Sequence, residues 1–389
     1  MLLSLALVFL CGMTLGKLFE MLKLPRLLGM IITGIILGPY ALNLLDRSIL
    51  NISAELRQIA LIIILTRAGL NLDVEDLKKA GRPAILMCFV PACFEIAGMV
   101  LLAPSFLGVT RLEAAIMGTV IAAVSPAVVV PRMLKLIEKG YGTEKSIPQI
   151  IMAGASVDDV FVIVLFAAFT GLAEGGAISA LSFVSIPTSI LSGLAVGVLT
   201  GILMSAFFTK FHIRDSGKVI LILSVSFLLV TAEHNMKGIM GFSGLLAVMA
   251  LGASIRLRKY DLSMRLSEKF SKLWVGAEVW LFVLVGATVN ITYALNAGLM
   301  AIALIFCVLV FRMLGVFTCL IRTRLNKKER IFTAFAYIPK ATVQAAIGGI
   351  PLAMGLACGD IVLTAAVLSI LVTAPLGAAL VDATYKKLL

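Results

Sequence analysis

Charge is scarce in this chain: Asp, Glu, Lys and Arg make up 14% of its 389 residues, against 61% hydrophobic. A soluble fold of this size could not bury that much apolar surface, so the composition excludes a soluble domain and implies an all-α polytopic membrane protein. Cysteine is limited too. Cys11, Cys88, Cys93, Cys307, Cys319 and Cys358 fall in or at the ends of apolar runs, and none forms the C-x-x-C spacing of a metal or redox site. They read as packing residues, and no cofactor is expected. The two histidines, His212 and His234, fall in loops, where solvation is the common case. The first apolar run, Met1 to Gly16, lacks a basic leader and an A-x-A cleavage site, so it is expected to stay as a spanning helix.

The net charge of +12 could suggest nucleic acid, but the basic residues stand in short clusters between apolar runs, as cytoplasmic loops do. Nucleic acid is therefore not an expected partner; the lipid bilayer is. Counting apolar runs against the roughly 20 residues needed to cross the hydrocarbon gives about thirteen spans. Alternate loops hold most of the Lys and Arg, from Lys17, Lys23 and Arg26, through Lys78, Lys79 and Arg82, to Lys386 and Lys387. The opposite loops carry only Arg47, Arg57, Arg111 and Lys237, which predicts an external N-terminus and a cytoplasmic C-terminus in the cell membrane.

A faint internal repeat recurs at an offset of about 214 residues. Gly34–Gly38 matches Val248–Gly252, Ser125-Pro126 matches Ile338-Pro339, and Glu95 matches Arg312 within a few residues. Five spans per copy would place the two copies in opposite orientations across the membrane. Within the copies, Val124–Pro131 carries Pro126 and Pro131 inside one span, and Tyr337–Gln344 carries Pro339, followed by Gly348-Gly349. Proline removes a backbone donor and clashes with the preceding turn, so both spans are expected to break near mid-membrane. Broken backbone at that depth persists only where it is buried in protein or lines a wet cavity. These breaks therefore point to a substrate site whose half-helix ends supply dipoles and free carbonyls. Lys340 is expected to neutralise the carbonyl ends.

Asp158-Asp159 is the only charge in Ile147–Leu172, and paired carboxylates at bilayer depth are costly enough to imply function. Desolvation penalises a carboxylate's charged form, so a proton and Na⁺ or Li⁺ become alternative ligands of one group. Ser125, Thr342, freed carbonyls and water could complete a hard-oxygen shell; either hydroxyl could instead bond back to its own helix. Glu95 and Arg312 are expected to pair, with Asp158 as the alternative partner of Arg312. Arg67, Asp73 and Glu278 read as interfacial anchors, with a pH-sensing role open for Glu278. Asn51-Ile-Ser53 and Asn290-Ile-Thr292 fit glycosylation sequons by chance.

Ala155–Asp159, Val124–Pro131, Arg67-Ala68-Gly69-Leu70 and Pro339–Ala346 together resemble the monovalent cation/proton antiporter superfamily, nearest its NHA-type sodium/proton exchanger branch. The resemblance covers nearly the whole chain. It implies an NhaA-like fold with crossed broken helices, a homodimer, and a core domain moving against a dimerisation domain. On the boundaries read above, residues 1–24, 25–72 and 237–292 would lie on the dimerisation side, 83–172 and 293–389 in the ion-binding core, and 173–236 in linking helices. The two inverted repeats would be 25–172 and 237–389. The family's ion-carrying second acid corresponds to Asp159 and its first acid to Asp158. Many electrogenic members carry a lysine where this chain has Arg312. Arginine cannot shed its proton at cellular pH, which favours electroneutral one-for-one exchange.

Rival classes fare worse. An intramembrane aspartyl protease needs two acids converging from different segments, whereas adjacent helical residues diverge by about 100°, and Gly-x-Gly-Asp is missing. A channel would show a repeated pore filter. A sodium-coupled symporter of organic anions shares similar architecture but would not need the Asp pair, and a K⁺/H⁺ antiporter of the same fold stays open.

Overall fold

The computed structural model describes residues 1–72, 74–175, 180–235 and 242–389, and within them all side chains except those at 74–80, 156, 160, 174, 175, 180–187, 234 and 292–297. Asp73 and Lys237 thus lie outside the described residues, as do the side chains of Lys78, Lys79, Ser156, His234 and Thr292. Helix is the regular structure throughout. In chain order the helices are α1 (Leu2–Met21), α2 (Arg26–Leu37), α3 (Arg47–Asn51), α4 (Ser53–Asn71), α5 (Val74–Met87), α6 (Val90–Leu107), α7 (Arg111–Ala122), α8 (Pro126–Glu138) and α9 (Ile147–Gly175). They continue as α10 (Ala180–Lys210), α11 (Asp215–Asn235), α12 (Gly244–Arg258), α13 (Tyr260–Ala287), α14 (Ile291–Cys319), α15 (Lys327–Ala336), α16 (Thr342–Ile347), α17 (Ile350–Ala353) and α18 (Gly359–Leu388). Among the described residues, 9 segments are long and apolar enough to cross a membrane. The chain is an all-helical polytopic membrane protein.

Local chemistry explains the breaks. A residue before proline is pushed out of the α region, and Ser125 and Ala123 are both extended, with ψ of 109° and 139°. α7 therefore stops at Ala122, and Pro126 becomes the first residue of α8, where its missing N–H costs nothing. Pro131, expected to contribute to the break, does not: α8 runs through it, because a proline past the first turn costs a single helical bond that the flanking turns absorb. The second interruption falls at Tyr337–Ala341, between α15 and α16. Both broken spans start from capping boxes, Thr110 with Glu113 at α7 and Asn326 with Glu329 at α15.

Five basic or acidic positions differ from the loop or interface placement expected of them. Lys78, Lys79 and Arg82 belong to α5, a helix kinked at Gly81 where φ is 71° and only glycine sits without strain. Arg57 is a buried residue of α4, and Glu278 a buried residue well inside α13. A hydropathy count cannot place a single charged residue that helix packing draws inward.

The chain divides into two compact units: Met1–Leu56, Glu75–Phe166 and Val279–Leu389 form the first, and Arg57–Val74 and Ala167–Glu278 the second. In the first, α6 lies along α14 through glycines. A Cβ on Gly98 would come within 2.7 Å of the Phe311 ring, and one on Gly315 within 2.7 Å of Pro91, the close approach that small residues permit between membrane helices. α18 backs the second break, with Gly377 against the Pro339 ring and Thr373 Oγ1 accepting a hydrogen bond from Lys340 N at 3.0 Å. In the second unit, α12 packs along α10, where Ser254 Oγ donates to Val198 O at 3.2 Å.

Candidate functional site

Two broken helices meet backbone to backbone in the first unit: Ser125 N donates to Pro339 O at 2.8 Å. Ending α7 at Ala122 and α15 at Ala336 leaves carbonyls with no helical N–H to accept from. One side chain serves both ends. Arg312 of α14 donates through Nε to Tyr337 O at 2.8 Å and through Nη1 to Ala122 O. Its guanidinium also lies 5.4 Å from the centre of the Tyr337 ring. The cationic cap at the carbonyl ends is thus Arg312 and not, as expected, Lys340; the arginine's planar fork has enough donors to reach two strand-like ends at once.

The same guanidinium anchors two acids. Arg312 Nη1 is 2.8 Å from Glu95 Oε2, and Nη2 is 2.9 Å from Asp158 Oδ2. Val124 N also donates to Asp158 Oδ2, at 2.9 Å. Lys340 Nζ reaches Glu95 Oε2 at 2.6 Å. Both partners considered for Arg312 are therefore occupied together. Glu95, Asp158, Arg312 and Lys340 are each 0% exposed, and their formal charges cancel. Charges buried in this way persist only when paired and hydrogen-bonded.

Asp159 stands apart from that balance. It follows Asp158 on α9, turned by about 100° around the helix, and its side chain is half-buried. Its Oδ1 has no hydrogen-bond partner, and among the described residues it has no ion-pair partner. Ser125 Oγ and Thr342 Oγ1, at the starts of α8 and α16, are likewise buried and unbonded, so neither hydroxyl bonds back to its own helix. Asp158 Oδ1 shares that condition. Hard oxygens without internal donors, beside one uncompensated carboxylate, suit a hydrogen ion or a small alkali cation better than any covalent chemistry. Among the described residues no group of three or more His, Cys, Asp or Glu is arranged as a metal site.

Two residues next to this cluster escaped the sequence reading. Gln344 Nε2 donates to Ile121 O and Ala123 O at 3.1 and 2.9 Å, and Tyr337 is fully buried with its hydroxyl unbonded. Their polarity in or beside a helix break is the one signal that could have found them. Elsewhere, Lys145 pairs with Glu329 at 2.8 Å and Arg132 with Asp382 at 3.2 Å, while His212 is exposed.

The family model "Sodium/hydrogen exchanger, transmembrane" matches residues 5–385. Human sodium/hydrogen exchanger 9B2 is 36% identical over 414 residues, covering 98% of this chain and 74% of its own length. Human sodium/hydrogen exchanger 9B1 is 31% identical over 396 residues, covering 96% and 75%. The structure of the sodium proton antiporter MjNhaP1 from Methanocaldococcus jannaschii at pH 8 superposes with a TM-score of 0.87 over 99% of this chain and 97% of that one, at 20% identity.

Proposed function

The chain belongs to the sodium/hydrogen exchanger family, and from that premise we propose that it carries Na⁺ or Li⁺ against H⁺ with Asp159 as the shared ligand. It is a membrane transporter and not an enzyme, it uses no cofactor, and the ions are its substrates. The observation that carries the residue assignment is the single unpaired carboxylate of Asp159 beside a cluster whose charges already cancel.

In this mechanism either a proton or a cation neutralises Asp159, with Asp158 Oδ1, Ser125 and Thr342 offering further oxygens. The occupied site crosses the bilayer in an alternating-access motion. The empty carboxylate does not, since desolvating it without a partner is too costly. Arg312 and Glu95 keep the two half-helix ends together through the cycle, and exchange is one for one and electroneutral.

The wider architecture follows the same reading: about thirteen spans, with α2, α4, α12 and the α15–α17 half-helices added to the 9 long segments. Two five-helix inverted repeats, 25–172 and 237–389, contribute core segments 83–172 and 293–389. Segments 1–24, 25–72 and 237–292 form the dimerisation side of a homodimer, with 173–236 linking. The N-terminus lies outside and the C-terminus in the cytoplasm, supported by the basic clusters on one set of loops.

The test uses purified protein in liposomes with an imposed pH gradient, challenged in turn with Na⁺, Li⁺ and K⁺. Na⁺- and Li⁺-driven proton movement is expected. Movement driven by K⁺ alone would replace the cation in this assignment.

A further inference from the structure

Gln344 lies two residues beyond Thr342 on α16 and is 0% exposed. Its two amide donations, to Ile121 O and Ala123 O, land on the end of α7. The helical N–H that would have served Ile121 O belongs to Ser125, and it is turned to Pro339 O instead. Both amide protons are therefore committed to carbonyls. The opposite amide orientation would set an oxygen against two oxygens, so the placement of nitrogen and oxygen is chemically determined. Oε1 is consequently directed away from those carbonyls, and it is buried without a hydrogen-bond partner.

Such an oxygen is expensive to leave unbonded in protein interior. The others in this condition around the breaks are Glu95 Oε1, Ser125 Oγ, Asp158 Oδ1, Asp159 Oδ1, the Tyr337 hydroxyl and Thr342 Oγ1. Two of them, on Ser125 and Thr342, flank the same interruptions that Gln344 ties together.

Resting on the exchange reading above, we infer that Gln344 is a cation ligand: its amide is clamped to α7 through Nε2 so that Oε1 meets the dehydrated ion. A carboxamide oxygen suits this place because it contributes coordination without charge. It does not titrate at cellular pH. Its share of the cation's affinity is therefore free of proton competition, unlike that of a carboxylate. The clamp also explains why glutamine serves better than glutamate, one of whose oxygens would replace Nε2 and face the two carbonyls.

The experiment compares wild type with Gln344→Met, which is similar in length, unbranched and apolar, in proteoliposomes across a range of pH. The variant should raise the apparent KM for Na⁺ about ten- to a hundredfold, keep its maximal rate within a few fold, and keep the wild-type pH profile at saturating Na⁺. Na⁺-induced thermal stabilisation of the detergent-solubilised variant should fall in parallel. A folded Gln344→Met with wild-type KM, or one that loses rate at unchanged KM, would overturn the inference and leave Gln344 a structural clamp. Should that variant not fold, Gln344→Asn is read by the same KM, since one fewer methylene withdraws the oxygen; a wild-type value would again overturn it. Wild-type protein without Na⁺-dependent proton flux would sink the exchange reading itself, a separate outcome.

Discussion

Lys340 Nζ lies 2.6 Å from Glu95 Oε2, the same atom that Arg312 Nη1 reaches at 2.8 Å. One carboxylate oxygen thus joins two cations, Lys340 within the second break and Arg312 of α14, and Arg312 extends the chain to Asp158. The cluster is internally balanced. Asp159 is left outside that balance, and under the proposed exchange it is the charge that the mobile ion satisfies.

Asp159→Asn is expected to abolish exchange while leaving a folded protein, because the amide can neither bind a proton at cellular pH nor neutralise a cation, and Asp159 Oδ1 supports no other contact. Asp158→Asn should behave differently, since it strips Arg312 of a counter-charge and destabilises the fold. Proton flux in liposomes together with thermal shift separates the two. Substantial Na⁺-driven flux in Asp159→Asn would remove the central assignment.

Glu95→Gln removes the one anion shared by two buried cations and should cost about 3–5 kcal/mol of stability. Adding Lys340→Met to it restores the charge balance and should recover part of that loss. A simple swap, Glu95→Arg with Arg312→Glu, should not: the new glutamate would face Ala122 O and Tyr337 O, which now accept from Arg312. Thermal unfolding of the three variants decides. A Glu95→Gln protein as stable as wild type would show that the network does not hold the breaks.

Pro126 and Pro339 make the interruptions legible in the sequence because proline acts locally, on the residue before it. The acid pair is legible because charge in an apolar run needs a reason. Pro131 misleads because a proline inside a helix can be absorbed, and only the fold shows whether it was. The partners of Lys340 and Gln344 are not legible at all: each depends on contacts more than 200 residues away in sequence, Lys340 with Glu95 and Gln344 with Ile121. Arg57 and Glu278 show the same limit, since burial of a charged residue is a property of packing.

Gly154 sits four residues before Asp158 on α9, and a Cβ there would collide with the Tyr337 hydroxyl. Gly154→Ala should therefore destabilise by about 1–3 kcal/mol, the usual cost of overpacking. Tyr337→Phe alone should be near neutral, because the hydroxyl it deletes has no hydrogen-bond partner. The double variant should recover part of the Gly154→Ala loss and of any accompanying loss of flux, the remainder coming from Met87 Cβ, 2.8 Å from the added methyl. Additive effects in a thermal-shift cycle would mean that the two groups do not meet.

Charge balance of the cycle turns on which buried group can release a proton. Arg312 cannot at cellular pH. Lysine in general can when desolvated, so Lys340, and not Arg312, is the residue by which a second proton could travel. Its ammonium is bonded to Glu95 at 2.6 Å, a pairing that favours the charged form against desolvation, and a cycle in which that pair stays intact should move no net charge. A potassium-diffusion potential imposed on proteoliposomes at zero pH gradient should then leave radiolabelled sodium uptake unchanged. Uptake that tracks the potential would refute one-for-one exchange, and Lys340→Arg would then locate the second proton: loss of the voltage response in that variant assigns it to Lys340, and retention assigns it to Asp158. In a voltage-blind wild type, Arg312→Lys extends the test: an ammonium paired with both Glu95 and Asp158 should hold its proton as Lys340 does and leave exchange voltage-blind, and a voltage response would show that such pairing does not hold a proton.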